Sequence, residues 1–139
     1  MKNRIAKIII GLSLLSSFAY SQTQSSEENQ TVEVTNFSLK STEGETVELS
    51  DYNGKFVVIH IATTWCPYCN AEAPYLEQIY KEYNDKNVEV LIIDVKEPGE
   101  LVKEKIKDRF ELSFPVLLDT EGLVAASFAP KDVLPELAR

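Results

Sequence analysis

The chain has 139 residues, with 14 basic and 22 acidic side chains, a formal net charge of −8 and 44% hydrophobic residues. That is enough for one domain with a real core and too little for two. So negative a surface repels phosphate backbones and anionic lipid, which argues against nucleic-acid binding and against peripheral membrane binding.

In chain order, Lys2, Arg4 and Lys7 precede a short apolar run over residues 8–15, and Ala19-Tyr20-Ser21 offers small residues at the two positions a signal peptidase reads. This pattern predicts a secretory signal over residues 1–21, cleaved after Ser21, and a periplasmic or secreted protein. The alternative is an anchor left in the membrane by an uncleaved N-terminus, although the apolar run is far shorter than the ~20 residues needed to span a bilayer. Removal of residues 1–21 takes away three basic residues and no acidic ones, leaving 11 against 22, or −11. Residues 22–30 are rich in Ser, Gln and Glu and lack apolar side chains to bury, so they read as a disordered leader. The folded domain is expected over residues 31–139.

Val32, Val34, Phe37 and Leu39, then Val47 and Leu49 after the Glu43-Gly44 turn, alternate with polar residues and predict a β-hairpin. Residues 56–62 are continuously apolar in character, which predicts a central strand buried on both faces. Leu76, Ile79, Tyr80 and Tyr83 recur at helical spacing over residues 70–83, with Pro74 expected to kink the helix. Residues 88–94 form the next buried strand, completing a βαβ unit with parallel strands. Pro98 suits a helix's first turn, and Leu101, Val102, Ile106 and Phe110 continue it. Residues 114–118 read as a further strand, and Asp119 as the cap of a small helix carrying Leu123, Val124 and Phe128.

The only two cysteines stand in Trp65-Cys66-Pro67-Tyr68-Cys69, between the strand over 56–62 and the helix after it. A bridge between residues three apart closes so short a loop that it removes little denatured-state entropy, so redox use is expected over a structural staple. Cys66 at a helix N-terminus would have its thiolate stabilised by free N–H groups and the helix dipole, making it the expected attacking sulfur. Pro67 fits the first turn, where its missing N–H does no harm. Cys69, one turn inside, is expected to be more buried and to resolve a mixed disulfide between Cys66 and substrate. Trp65 is either an apolar wall beside the nucleophile or a core residue. Tyr68 tunes the redox poise, but pairs of this spacing span roughly −270 to −120 mV, so the direction of electron flow stays open. Glu72, one turn after Cys69, is either a proton-transfer group or a solvated surface charge. His60 is the sole histidine and is expected inside a buried strand, as a hydrogen-bonded packing residue or a proton partner. Two cysteines and one histidine fall short of the four ligands of a closed zinc site, so neither metal nor other cofactor is expected.

Residues 37–39, the Gly44 turn, residues 49–55, the strand leading to Thr64, the Trp65–Cys69 motif and Glu72-Ala73-Pro74 together resemble the thioredoxin-like disulfide reductases of the TlpA/ResA type. The resemblance runs from about Phe37 to Phe128. It implies an α/β thioredoxin-like fold with an N-terminal hairpin and a βαβ core, acting as a monomer on protein disulfides with electrons from a thiol donor. It also implies a role for Glu72 in thiol proton transfer and substrate binding, and places Pro74 at its expected position. His60 departs from the pattern, standing where thioredoxin has a buried Asp and TlpA-type proteins usually have Asn. Family members continue with a cis-proline loop facing the cysteines, two strands and a final helix. Pro135, after Leu134, is the only stand-in for that proline, and no segment supplies the strands, so the chain reads as C-terminally truncated. The strand over 56–62 or its neighbour would then present an unpaired edge.

Three other readings compete with a reductase. A peroxiredoxin-like thiol peroxidase would need Pro four residues before Thr63, where Ile59 stands. A copper-delivery module would need His60 to join both cysteines. An inactive, truncated remnant would keep the motif without a complete fold.

Overall fold

β-Strand and helix are organised around one mixed sheet in a computed structural model that describes residues 34–129. The expected signal, the leader, Val32 and Pro135 lie outside the described residues. The strands are β1 (Ser38–Ser41), β2 (Thr46–Glu48), β3 (Phe56–Ala62), β4 (Val88–Val95) and β5 (Val116–Asp119), in the spatial order β2-β1-β5-β4-β3. β1 pairs antiparallel with β2 and β5, whereas β3, β4 and β5 run parallel. The expected hairpin is present but shorter than its alternation. Val34 is exposed, and Leu49 opens a 3-10 turn, Leu49–Tyr52, instead of extending β2. Asp51 accepts from the Glu48 N–H and fixes that turn. Gly44 completes the hairpin turn at φ 87°, a left-handed conformation that favours glycine.

The buried centre of the sheet is β4. Val90, Leu91, Ile92 and Ile93 are buried on both faces, between β5 and β3. The expectation of a central, doubly buried strand over 56–62 is therefore corrected. β3 is an edge strand among the described residues, with Phe56, Val58 and Ile61 exposed. Its continuous apolar run resembles that of β4, but such a run does not specify how many hydrogen-bonded neighbours a strand has. The βαβ unit and its parallel pairing are as expected, with His60 beside Ile92 and Ala62 beside Asp94.

α1 (Pro67–Tyr83) covers one face of the sheet. Its buried residues are Ala73, Leu76 and Glu77, with Tyr80 packed beside them, while Ile79 and Tyr83 are more exposed than their spacing predicts. Pro74 lies inside this helix. Lacking an N–H, it removes one hydrogen bond from the helix ladder. The next helix starts as α2 (Gly99–Val102), one residue after Pro98, and widens into a π-helical segment, Lys103–Asp108. Val102 and Ile106 pack with Ala62, Leu76, Val90, Ile92, Phe114 and Val116 in the core cluster beneath α1. A second cluster on the opposite face joins Phe37, Val47, Leu91, Ile93 and Leu117, with Val124 and Phe128 from the last helix against it.

β5 starts two residues later than predicted, because Pro115 has no N–H for the ladder. Asp119 does serve the short helix α3 (Leu123–Ser127), accepting from the N–H groups of Leu123 at 3.1 Å and Ala125 at 2.8 Å. Gly122, at φ 74°, occupies the N-cap position between them.

Candidate functional site

The carboxyl end of β3 delivers the chain through Thr63 and Thr64 to Cys66, the N-cap of α1. Cys66 has extended backbone angles, and Pro67 occupies the first helical turn, where no N–H is required. Cys66 and Cys69 form a disulfide with their Cα atoms 5.3 Å apart. The Cys66 Sγ accepts the Cys69 backbone N–H at 3.2 Å, so the first turn of the helix donates to this sulfur. Both cysteines are half-buried, and Cys69 packs against the core cluster that includes Ala62 and Leu76.

The surroundings of the disulfide differ by direction. Trp65 and Tyr68 stand out from the surface, 75% and 82% exposed, so the core-packing alternative for Trp65 is overturned. Tyr75, two turns along α1 from Tyr68, is also exposed. Toward β3, His60 Nδ1 lies 3.4 Å from a carboxylate oxygen of Glu72, which joins two of the residues singled out in the sequence. The Glu72 side chain is 63% exposed, while His60 Nε2 is buried without a hydrogen-bond partner among the described residues. His60 is thus half-buried on an edge strand, and the expected fully buried strand position is corrected. Its reach to Glu72 follows from strand alternation. His60 pairs with Ile92, and both point to the face that α1 covers.

Two acids missed by sequence reasoning stand at the carboxyl end of β4 and just beyond it. Glu97 accepts the Thr64 N–H at 2.5 Å and the Thr64 hydroxyl at 2.6 Å, and Asn70 Nδ2 donates to the Thr64 carbonyl at 2.9 Å. These bonds tie the loop before Cys66 both to the β4–α2 connection and to the first turn of α1. Asp94, at the carboxyl end of β4, is 1% exposed, and among the described residues neither of its oxygens meets a hydrogen-bond donor. Its burial, with the nearby Glu97 carboxylate adding to the effect, pushes its carboxyl up to about 8. The signal for Asp94 was an acid ending the apolar run from Val90 to Ile93. Glu97, in a polar connection before Pro98, carried no comparable signal.

A reactive disulfide at the N-terminus of a helix, reached from the carboxyl end of a strand in a βαβ unit, defines a thioredoxin-like dithiol protein. Residues 31–134 match the AhpC/TSA family. The chain belongs to that family, as a thioredoxin-superfamily protein of the ResA/TlpA type. It is 34% identical over 133 residues to thiol-disulfide oxidoreductase ResA of Bacillus cereus, covering 91% of this chain and 76% of the relative. The same identity holds over 115 residues with ResA of Halalkalibacterium halodurans, covering 83% of this chain but 63% of the relative. The crystal structure of a secreted Mycobacterium tuberculosis disulfide oxidoreductase homologous to DsbE of E. coli is similar too. It superimposes with a TM-score of 0.61 at 27% identity, over 66% of each chain.

Proposed function

We propose that this chain is an exported thiol–disulfide oxidoreductase that reduces protein disulfides. The observation that carries the reading is the Cys66–Cys69 pair at the α1 N-terminus, its first sulfur bonded to a helix N–H and flanked by exposed aromatic side chains. In the reduced pair, Cys66 attacks one sulfur of the substrate disulfide as a thiolate, releasing the other as a thiol after protonation. The N–H groups of the first turn and the helix dipole favour the Cys66 anion. Cys69 then attacks Cys66, the substrate sulfur leaves, and the pair is oxidised by two electrons. An external thiol donor returns the pair to the dithiol state.

Trp65, Pro67 and Tyr68 form the contact surface for an extended substrate segment around the scissile sulfur, because large exposed aromatics beside a reactive group bind apolar side chains well. Glu72 and His60 act as proton partners at the open side of the site, supported by their 3.4 Å contact. Pro74 shapes α1 beneath them. Residues 1–21 direct export, and residues 22–30 lead into the domain over 31–139. The secreted relative in Mycobacterium tuberculosis is in keeping with export. Thiol peroxidase chemistry is disfavoured because Ile59 replaces the proline that chemistry asks for and packs against the opposite core cluster. Copper delivery is disfavoured because the His60 imidazole lies against Glu72.

Insulin reduction by the mature chain tests the proposal. Wild type should turn over, and Cys66→Ser should fall to the uncatalysed background. Turnover retained in Cys66→Ser would contradict it.

A further inference from the structure

Thr64, two residues before the attacking cysteine, has each of its polar groups engaged by a side chain from another element. Glu97 accepts the Thr64 N–H with one carboxylate oxygen and the Thr64 hydroxyl with the other, the second at 2.6 Å. Asn70 of α1 donates to the Thr64 carbonyl at 2.9 Å. Glu97 stands 33 residues away in sequence, so a separate part of the chain holds the loop that feeds the disulfide. Among the described residues no lysine or arginine pairs with the Glu97 carboxylate.

The connection that carries Glu97 is itself fixed. Lys96, just before it, has φ 62°, a left-handed conformation uncommon for a residue with a side chain. Such strain persists where the surroundings over-determine it. Here the Lys96 N–H donates to the Asp119 carbonyl, at the end of β5, at 3.0 Å. Pro98, just after Glu97, restricts it to extended backbone. Gly99 lies so close to β5 that a Cβ there would meet Leu118 Cδ1 at 2.8 Å. At the other end of the link, the Cys66 N–H donates to the Thr63 carbonyl at 3.2 Å, and the Cys66 carbonyl accepts from the Asn70 N–H at 3.1 Å. Thr64 is thus the point where the anchored connection grips the turn that presents Cys66 Sγ to the Cys69 N–H.

We propose that Glu97 is a positioning residue for Cys66, acting through Thr64 to hold the turn over residues 63–66 so that the Cys66 sulfur stays on the free N–H groups of α1. This rests on the dithiol reading above. In this role Glu97 exchanges no proton with either sulfur. The helix N–H groups favour the thiolate only while the sulfur stays in line with them, so a loosened turn raises the proton affinity of Cys66. The charge of Glu97 works the other way. A carboxylate near a thiolate disfavours it, so loss of the charge alone would lower that affinity. The sign of the change separates positioning from electrostatics.

The test is a titration of Cys66 by the ultraviolet absorbance of its thiolate, in the chain carrying Cys69→Ala, where Cys66 is the only thiol. Adding Glu97→Ala should make Cys66 hold its proton about tenfold more tightly. Glu97→Gln can still accept the Thr64 N–H through its amide oxygen and donate to the hydroxyl through its amide nitrogen, so it should stay within about twofold of the parent. A brace that only adds stability would lower the urea midpoint of Glu97→Ala and leave the titration unmoved. An unchanged or lowered proton affinity in Glu97→Ala would overturn the proposal, as would a Glu97→Gln displaced as far as Glu97→Ala. Should Glu97→Ala fail to fold, Thr64→Val removes only the hydroxyl link and should raise the affinity about threefold, and no rise there would overturn the proposal. The titration needs no protein substrate, so failure of insulin reduction would sink the proposed function and leave this inference to its own readout.

Discussion

Two acids are buried against the same core layer, and they behave oppositely. Glu77 on α1 is 6% exposed, and its carboxylate accepts the Ser113 N–H at 2.7 Å and the Ser113 hydroxyl at 2.6 Å, with Lys81 at 2.9 Å. Burial alone would raise its carboxyl, but the Ser113 hydrogen bonds and Lys81 outweigh that and hold it below the ordinary carboxylate value. Asp94 on β4 is more buried and has no such donors, so desolvation prevails and its carboxyl rises. Partners, rather than depth, decide whether a buried acid is charged. Glu77 braces the loop between the π-helical segment and β5 onto α1. Among the described residues Asp94 braces nothing.

The largest effect is expected from removing the unpartnered carboxyl. Between about pH 4 and pH 8 the folded chain keeps the Asp94 proton while the unfolded chain has lost it. Stability therefore falls as pH rises through that window, by about 1.4 kcal/mol per pH unit for this one group. Asp94→Asn should stabilise the fold by about 3 kcal/mol at pH 7.5 and flatten that slope, as read by urea denaturation across pH. A variant no more stable than wild type at pH 7.5 would mean that Asp94 has a partner.

The reverse sign is expected at Glu77. Its stabilisation is present above the unfolded carboxylate value and is lost as pH falls through its lowered folded value. Glu77→Gln should destabilise by about 1–3 kcal/mol at neutral pH, because one amide cannot accept both Ser113 donors as the carboxylate does. The difference between variant and wild type should shrink in acid. A difference independent of pH would remove the electrostatic part of this account.

The smallest effect is expected at Glu72, the exposed acid. Glu72→Gln should change stability by no more than about 0.5 kcal/mol. It should still alter the pH dependence of disulfide exchange, as should His60→Asn. Profiles unchanged in both would remove this pair from the mechanism.

The hairpin, the βαβ unit and the cysteine turn were legible in the sequence because each rests on local pattern. Val47 between polar neighbours, the apolar run leading to Cys66, and Pro67 after it are short-range signals. The apolar runs alone misplaced the centre of the sheet, while the expected unpaired edge at the strand over 56–62 or its neighbour followed from the resemblance. The runs over β3 and β4 are alike in composition, yet among the described residues β4 has strand neighbours on both sides and β3 on one. Glu77 escaped notice because a glutamate on a charged helix reads as solvated, and only Ser113, 36 residues away, makes its burial tolerable. His60 and Glu72 each stand out in the sequence, but their contact depends on the shared face of β3 and α1. Asp94 stood within a segment read for its strand character, where one acid does not change the period.

The central claim is that Cys66 attacks and Cys69 resolves. Its most direct test is a trapping experiment, in which the mature Cys69→Ala variant is incubated with a disulfide-bonded peptide and the products are mapped by mass spectrometry. A stable mixed disulfide on Cys66 is expected, absent from the double variant that also carries Cys66→Ser. No adduct on Cys66, under conditions where the variant is folded and its thiol is free, would contradict the account.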